Sequence, residues 1–90
     1  MELVYIKVKA NDETRSKIVN ICNLFRANVV DVAPESLVLE IVGPGSKIEA
    51  FFDMIKPFGI IEFVRSGVTG LQRGKTHVAP SKKKLSVPED

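Results

Sequence analysis

Few side chains in this sequence are equipped for chemistry, and their spacing limits what each can do. The one histidine, His77, is the natural general base near neutral pH, yet no nucleophile or carboxylate pair stands at a fixed spacing from it. It reads as a surface histidine in an unstructured stretch. Cys22 is the single cysteine, which excludes an intrachain disulfide and any multi-Cys metal site. Set among apolar residues, it reads as a small buried hydrophobe. Gly43-Pro44-Gly45 could turn backbone N–H groups toward a phosphate, but it lacks the Lys-Ser/Thr of a P-loop and the spacing of a dinucleotide fingerprint. A strand-to-helix turn is the simpler reading. Lys82-Lys83-Lys84 is the one run of like charge. Residues 1–74 hold nine Lys/Arg and nine Asp/Glu, against four Lys and two acids in 75–90. The folded part is therefore neutral and a poor surface for nucleic acid, which leaves the lysine run as a solubilising tail. No catalytic residue and no metal ligand is assigned.

The elements that would have to position any site follow from periodicity. From Leu3 to Lys9, Val4, Ile6 and Val8 alternate with Leu3, Tyr5, Lys7 and Lys9, which is the period of a strand. Asn11 and Asp12 supply an N-cap, Asp12 and Glu13 put negative charge in a first turn, and Ile18, Ile21, Cys22 and Phe25 recur at helical spacing. That helix is expected from about Asp12 to Arg26. Asn28 to Ala33 and Leu37 to Val42 are two β-branched runs about a Pro34-Glu35-Ser36 turn, a hairpin. Ser46 followed by Glu49 predicts a capping box for a second helix, striped by Ile48, Phe51, Phe52 and Ile55 and ending at Pro57. Ile60 to Ser66 is the last strand. The order βαββαβ predicts an α+β, ferredoxin-like (ACT-like) fold: a four-stranded antiparallel sheet with two helices on one face. The domain spans 1–74. Residues 75–90, with two prolines and no period, are expected to be a flexible basic tail.

Ninety residues make one domain, and a chain this size buries only about 60–65% of its unfolded surface, so the core is thin. With 44% apolar and 27% charged residues the chain should nevertheless fold. No apolar run approaches the ~20 residues of a bilayer span, and the first residues show no signal peptide, which predicts a cytoplasmic protein.

The helices are expected to cover Val4, Ile6, Val8, Val30, Val32, Leu37, Leu39 and Ile41. The other face then presents Leu3, Tyr5, Val29, Val38 and Val42, with Asp31, Glu40 and Lys7 among them. That is more apolar than a solvated face should be, and it predicts contact with protein. Leu3, Tyr5, Val29, Asp31, Val38 and Val42 are the candidate interface residues. The third strand has no aromatic residue on which RNA bases could stack. The loop after the first strand, Ala10-Asn11-Asp12-Glu13, has none of the thiols of a metal-transfer domain.

Four stretches carry a resemblance: Glu13-Thr14-Arg15-Ser16, Phe25-Arg26-Ala27-Asn28-Val29-Val30-Asp31-Val32, Lys56-Pro57-Phe58-Gly59-Ile60, and Arg65-Ser66-Gly67 with Arg73-Gly74. In this order they resemble the C-terminal domain of the small, regulatory subunit of acetolactate synthase (acetohydroxyacid synthase), from Leu3 to about Gly74. The resemblance implies a non-catalytic subunit in branched-chain amino-acid biosynthesis, the pathway to valine, leucine and isoleucine. Its expected partner is the large catalytic subunit, which would carry thiamine diphosphate, Mg²⁺ and FAD; this chain would hold no cofactor. It also implies homodimer formation and activation of the large subunit. The family's preceding ACT domain, which binds the feedback amino acid, has no counterpart in these residues. The two acids and absent Gly of Ala10–Glu13 would repel an effector carboxylate. The initial Met and the unusual tail favour a natural short protein. A free-standing ACT-like dimer that senses an amino acid is the alternative.

Overall fold

The computed structural model describes residues 1–66 and the three residues 83–85. Strand β1 (Glu2–Lys9) leads to helix α1 (Asp12–Phe25), then strands β2 (Asn28–Ala33) and β3 (Ser36–Gly43). Helix α2 (Gly45–Ile55) follows, with a 3₁₀ turn at Lys56–Phe58 and strand β4 (Ile60–Ser66); Lys83–Leu85 form a short β5. The sheet order is β2-β3-β1-β4-β5, and every pairing is antiparallel. Its first four strands, with two helices, are the expected ferredoxin-like arrangement.

Local chemistry explains most boundaries. Asn11 caps α1 by accepting from the Thr14 N–H at 2.8 Å, and Thr14 Oγ1 accepts from the Asn11 N–H at 2.9 Å. Arg26 ends the helix in the left-handed region at φ 61°, which lets the Ala27 N–H reach back to the Cys22 carbonyl at 2.8 Å. The hairpin turn at Pro34 and Glu35 is tied down from two sides. Arg15 donates to the carbonyls of Ala33 and Pro34 at 3.2 and 3.0 Å, and the Ala10 N–H donates to the Glu35 carbonyl at 3.0 Å.

Helix α2 corrects the expected Ser46–Glu49 capping box. Its N-cap is Pro44, without a side-chain cap bond, and the Pro44 carbonyl accepts from both Lys47 and Ile48. Ser46 is thus already inside the helix, too late to cap it. The helix also stops at Ile55, and Pro57 lies in the 3₁₀ turn that follows.

The core lies between the sheet and the helices. Val4, Ile6, Val8, Leu37, Leu39 and Ile41 meet Ile18 and Cys22 of α1 and Ile48, Phe51 and Ile55 of α2, all buried. Phe51 stands edge-on to Phe25, ring centres 5.3 Å apart.

Two expectations for β2 fail: Val32, expected beneath the helices, is 64% exposed on this edge strand, and the sidedness of Val29 and Val30 is reversed. Val29 pairs with Leu39 and Asp31 with Val38, so Val30 is an extra residue, a β-bulge. Val29 therefore packs against the core beneath the helices, whereas Val30 is exposed. Strict alternation assigned the two valines the other way round, because a single inserted residue reverses the phase of everything before it.

The expected tail, 75–90, lies outside the described residues except for Lys83–Leu85, which pair with β4 from Phe63 to Arg65. His77 also lies outside them.

Candidate functional site

The face of the sheet opposite the helices can be laid out from the register. One row across β2, β3, β1 and β4 is Asp31, Val38, Lys7, Glu62; the next is Asn28, Glu40, Tyr5, Val64; the third, lacking a β2 member, is Val42, Leu3, Ser66. Of the six residues singled out from the sequence, Leu3, Tyr5, Asp31, Val38 and Val42 share this face and Val29 does not. Val64 and Asn28 join it. Val64 was missed because the sequence pattern assigned no face to Ile60–Ser66; that strand has its own bulge, in which Lys7 pairs with Glu62 but Val8 with Ile60, leaving Ile61 as the extra residue. The signal that could have found Val64 is its place two residues past Glu62, counted from the Tyr5 pairing rather than from the start of the strand.

The centre of the face carries one organised polar group. Tyr5 donates its hydroxyl to Glu40 Oε2 at 2.9 Å, and Asn28 Nδ2 donates to Glu40 Oε1 at 3.4 Å, so β1, β3 and β2 are stitched across the sheet. Both partners stand directly opposite Glu40 in the ladder. Burial, then the hydrogen bond to Glu40 and its charge, push the Tyr5 phenol above its ordinary value. Tyr5 is neutral at physiological pH and remains a donor. The one carboxylate in the middle of the face thus accepts a donor on each oxygen before any partner arrives. Leu3, Val38 and Val64 are half-buried and Val42 is 48% exposed, forming apolar ground on both sides of that group.

Concave features are modest by comparison. A depression of about 500 Å³ beside α2 is lined by Glu2, Gly45, Ile48, Glu49, Phe52, Phe63 and Arg65. One ion pair lies across it: Arg65 Nε is 3.3 Å from Glu2 Oε1, and the guanidinium rests over the Phe63 ring at 5.6 Å. Among the described residues, no three His, Cys, Asp or Glu side chains come together as a metal site. Burial pushes the Cys22 thiol up to about 11, opposite to what a nucleophilic cysteine needs. Among the described residues, no helix is long and apolar enough to cross a membrane.

Fold and face together define a ferredoxin-like module whose most developed surface is a broad, half-apolar sheet rather than a pocket of converging reactive groups. A family model described as the small subunit of acetolactate synthase matches residues 1–74. The chain therefore belongs to the acetolactate synthase small-subunit family. It is 46% identical over 81 residues to the acetolactate synthase small subunit of Mycobacterium bovis, covering 90% of this chain and 48% of that protein. Against the Bacillus subtilis small subunit it is 43% identical over 86 residues, covering 96% of this chain and 50% of the relative. Among solved structures, the small subunit from Thermotoga maritima superposes with a TM-score of 0.66 at 34% identity, over 71% of this chain and 39% of that one. The chain thus spans about half the length of the curated relatives it matches.

Proposed function

We propose that this chain is the activating, non-catalytic portion of an acetolactate synthase small subunit, that it forms a homodimer through the open sheet face, and that it docks on the large catalytic subunit through the rest of its surface. The observation that carries the reading is the pairing of Glu40 with Tyr5 and Asn28 amid Leu3, Val38, Val42 and Val64. Covering a face normally strands its buried charges, at a cost of about 1–3 kcal/mol for each unsatisfied group. Here the central charge already has its donors, so a partner can bury the apolar ground around it cheaply.

The chemistry would belong to the large subunit, where thiamine diphosphate, Mg²⁺ and FAD are expected. This chain would act by binding the active conformation of that subunit more tightly than the inactive one, and that difference in affinity limits the population shift it can impose. On this reading the chain would serve branched-chain amino-acid biosynthesis.

Amino-acid sensing by this chain is the weaker reading. The first turn of α1 is occupied by Asn11 Oδ1 and flanked by Asp12 and Glu13, leaving little for an effector carboxylate. Acetolactate formation by the large subunit, with and without this chain and with valine added to each, tests both. Stimulation without new valine sensitivity is the expected result; no stimulation removes the activating role. Valine-dependent thermal stabilisation of the isolated chain would favour the sensor.

A further inference from the structure

The depression beside α2 holds more negative charge than its lining balances. Glu2, Phe63 and Arg65 enter it from the helix side of the sheet: Glu2 lies two residues before Val4, and Phe63 and Arg65 stand opposite buried Ile6 and Val4. Helix α2 adds Ile48 and Phe52, one turn apart, and Glu49 beside them. Phe52 stands edge-on to Phe63 with ring centres 5.4 Å apart, so the two rings and Ile48 make an apolar floor. Above that floor the acids are incompletely met. Glu2 Oε1 is shielded from solvent and lies 3.3 Å from Arg65 Nε, yet it accepts no hydrogen bond among the described residues. A shielded carboxylate oxygen without a donor is costly, which makes it a place where a ligand's donor gains most. Glu49 makes no ion pair or side-chain hydrogen bond among the described residues. The lining thus sets two carboxylates against one guanidinium.

We propose that this depression binds a small organic monocation, an alkyl- or arylammonium, with its charge on the carboxylates of Glu2 and Glu49 and its apolar body on Ile48, Phe52 and Phe63. An ammonium has three donors and no acceptor, so it supplies both the hydrogen bond that Glu2 Oε1 lacks and the unit of positive charge that the lining lacks. A volume of about 500 Å³ lies within the roughly 300–1,000 Å³ of small-molecule sites, and a floor of rings under a few polar groups is their usual make-up. Gly45 keeps the approach to the second oxygen clear, since even a Cβ there would stand 3.4 Å from Glu2 Oε2. A ligand carboxylate is disfavoured, because the one cation of the lining already faces Glu2 and the Phe63 ring. The site is on the helix side of the sheet, so its test is independent of association through the open face.

The test is a titration of the full chain with phenethylammonium, followed by amide chemical shifts, beside two probes that carry the same ring: uncharged phenethyl alcohol and anionic hydrocinnamate. The ammonium should saturate, shift the amides of Ile48, Glu49, Phe52 and Phe63, and bind at least tenfold more tightly than the alcohol, with hydrocinnamate weakest. Glu2→Gln and Glu49→Gln should each weaken the ammonium at least threefold and leave the alcohol unchanged. Glu49 is exposed on α2, so its variant decides the matter should Glu2→Gln, which also loses the Arg65 pair, not fold. Equal affinity for the three probes, an ammonium that does not saturate, or shifts centred on Tyr5 and Val38 overturns the proposal. Ammonium affinity unchanged by Glu49→Gln overturns it as well.

Discussion

Tyr5 and Cys22 carry the most direct consequences at the scale of single residues. The Tyr5 phenol is raised in the fold, so the unfolded chain loses its proton first. The stabilisation is complete below the unfolded value of about 10 and is lost as pH rises past it. Tyr5→Phe should flatten that alkaline decline in denaturant titrations, at a cost of about 1 kcal/mol at neutral pH for the lost bond. Cys22, raised by burial to about 11, acts with the same sign but from a lower starting pH. The same burial predicts that Cys22 resists alkylation in the native protein at pH 8 and reacts at once in denaturant; rapid native labelling would show that α1 opens readily. Burial of Cys22 was legible from its apolar neighbours. The donor pair on Glu40 was not, because it joins residues on three strands and exists only once the register is known.

Elements show where periodicity suffices and where it stops. Both helices were legible in the apolar stripe, and the Asn11 cap in its residue type, because these signals lie within a few residues of one another. The sidedness of β2 was not, since a bulge depends on what the partner strand requires. Deleting Val30 should restore regular pairing with Asn28, Val29 and Asp31 still on their present faces, opposite Glu40, Leu39 and Val38. The melting temperature should change little, and a marked drop would mean that the bulge itself is needed. Gly59, at φ 109° between the 3₁₀ turn and β4, sits where only glycine is comfortable. Gly59→Ala should cost about 1–3 kcal/mol, measured by urea unfolding. Arg15 is the tie between α1 and the hairpin turn, so Arg15→Ala should raise hydrogen exchange at Ser36 more than at Ile6.

For the whole molecule, the core and the open face make opposite demands that substitution can separate. Phe51→Ala empties a fully buried site and should cost about 3–5 kcal/mol in global stability. Leu3→Asp, or Tyr5→Asp, places a charge on the open face, and either should leave the chain folded while weakening its association and any stimulation of a large subunit. Charge reversal at Asp31 should weaken association too. Light scattering and circular dichroism on the same samples distinguish lost association from lost fold. The apolar excess of this face was readable from alternation in β1 and β3, which have no bulge between them. Its extension onto β4 was not, for the reason that β2 misled.

The strand order has one more consequence, for the time at which this protein can fold. Strand β1 lies between β3 and β4, so the first strand made must wait for the last of the four before both its sides are paired. Until Ser66 has left the ribosome, Val4, Ile6 and Val8 have no finished sheet to enter, and non-local pairing of this kind is slow. Nascent chains stalled before residue 60 should therefore remain sensitive to protease, with protection appearing abruptly once β4 emerges.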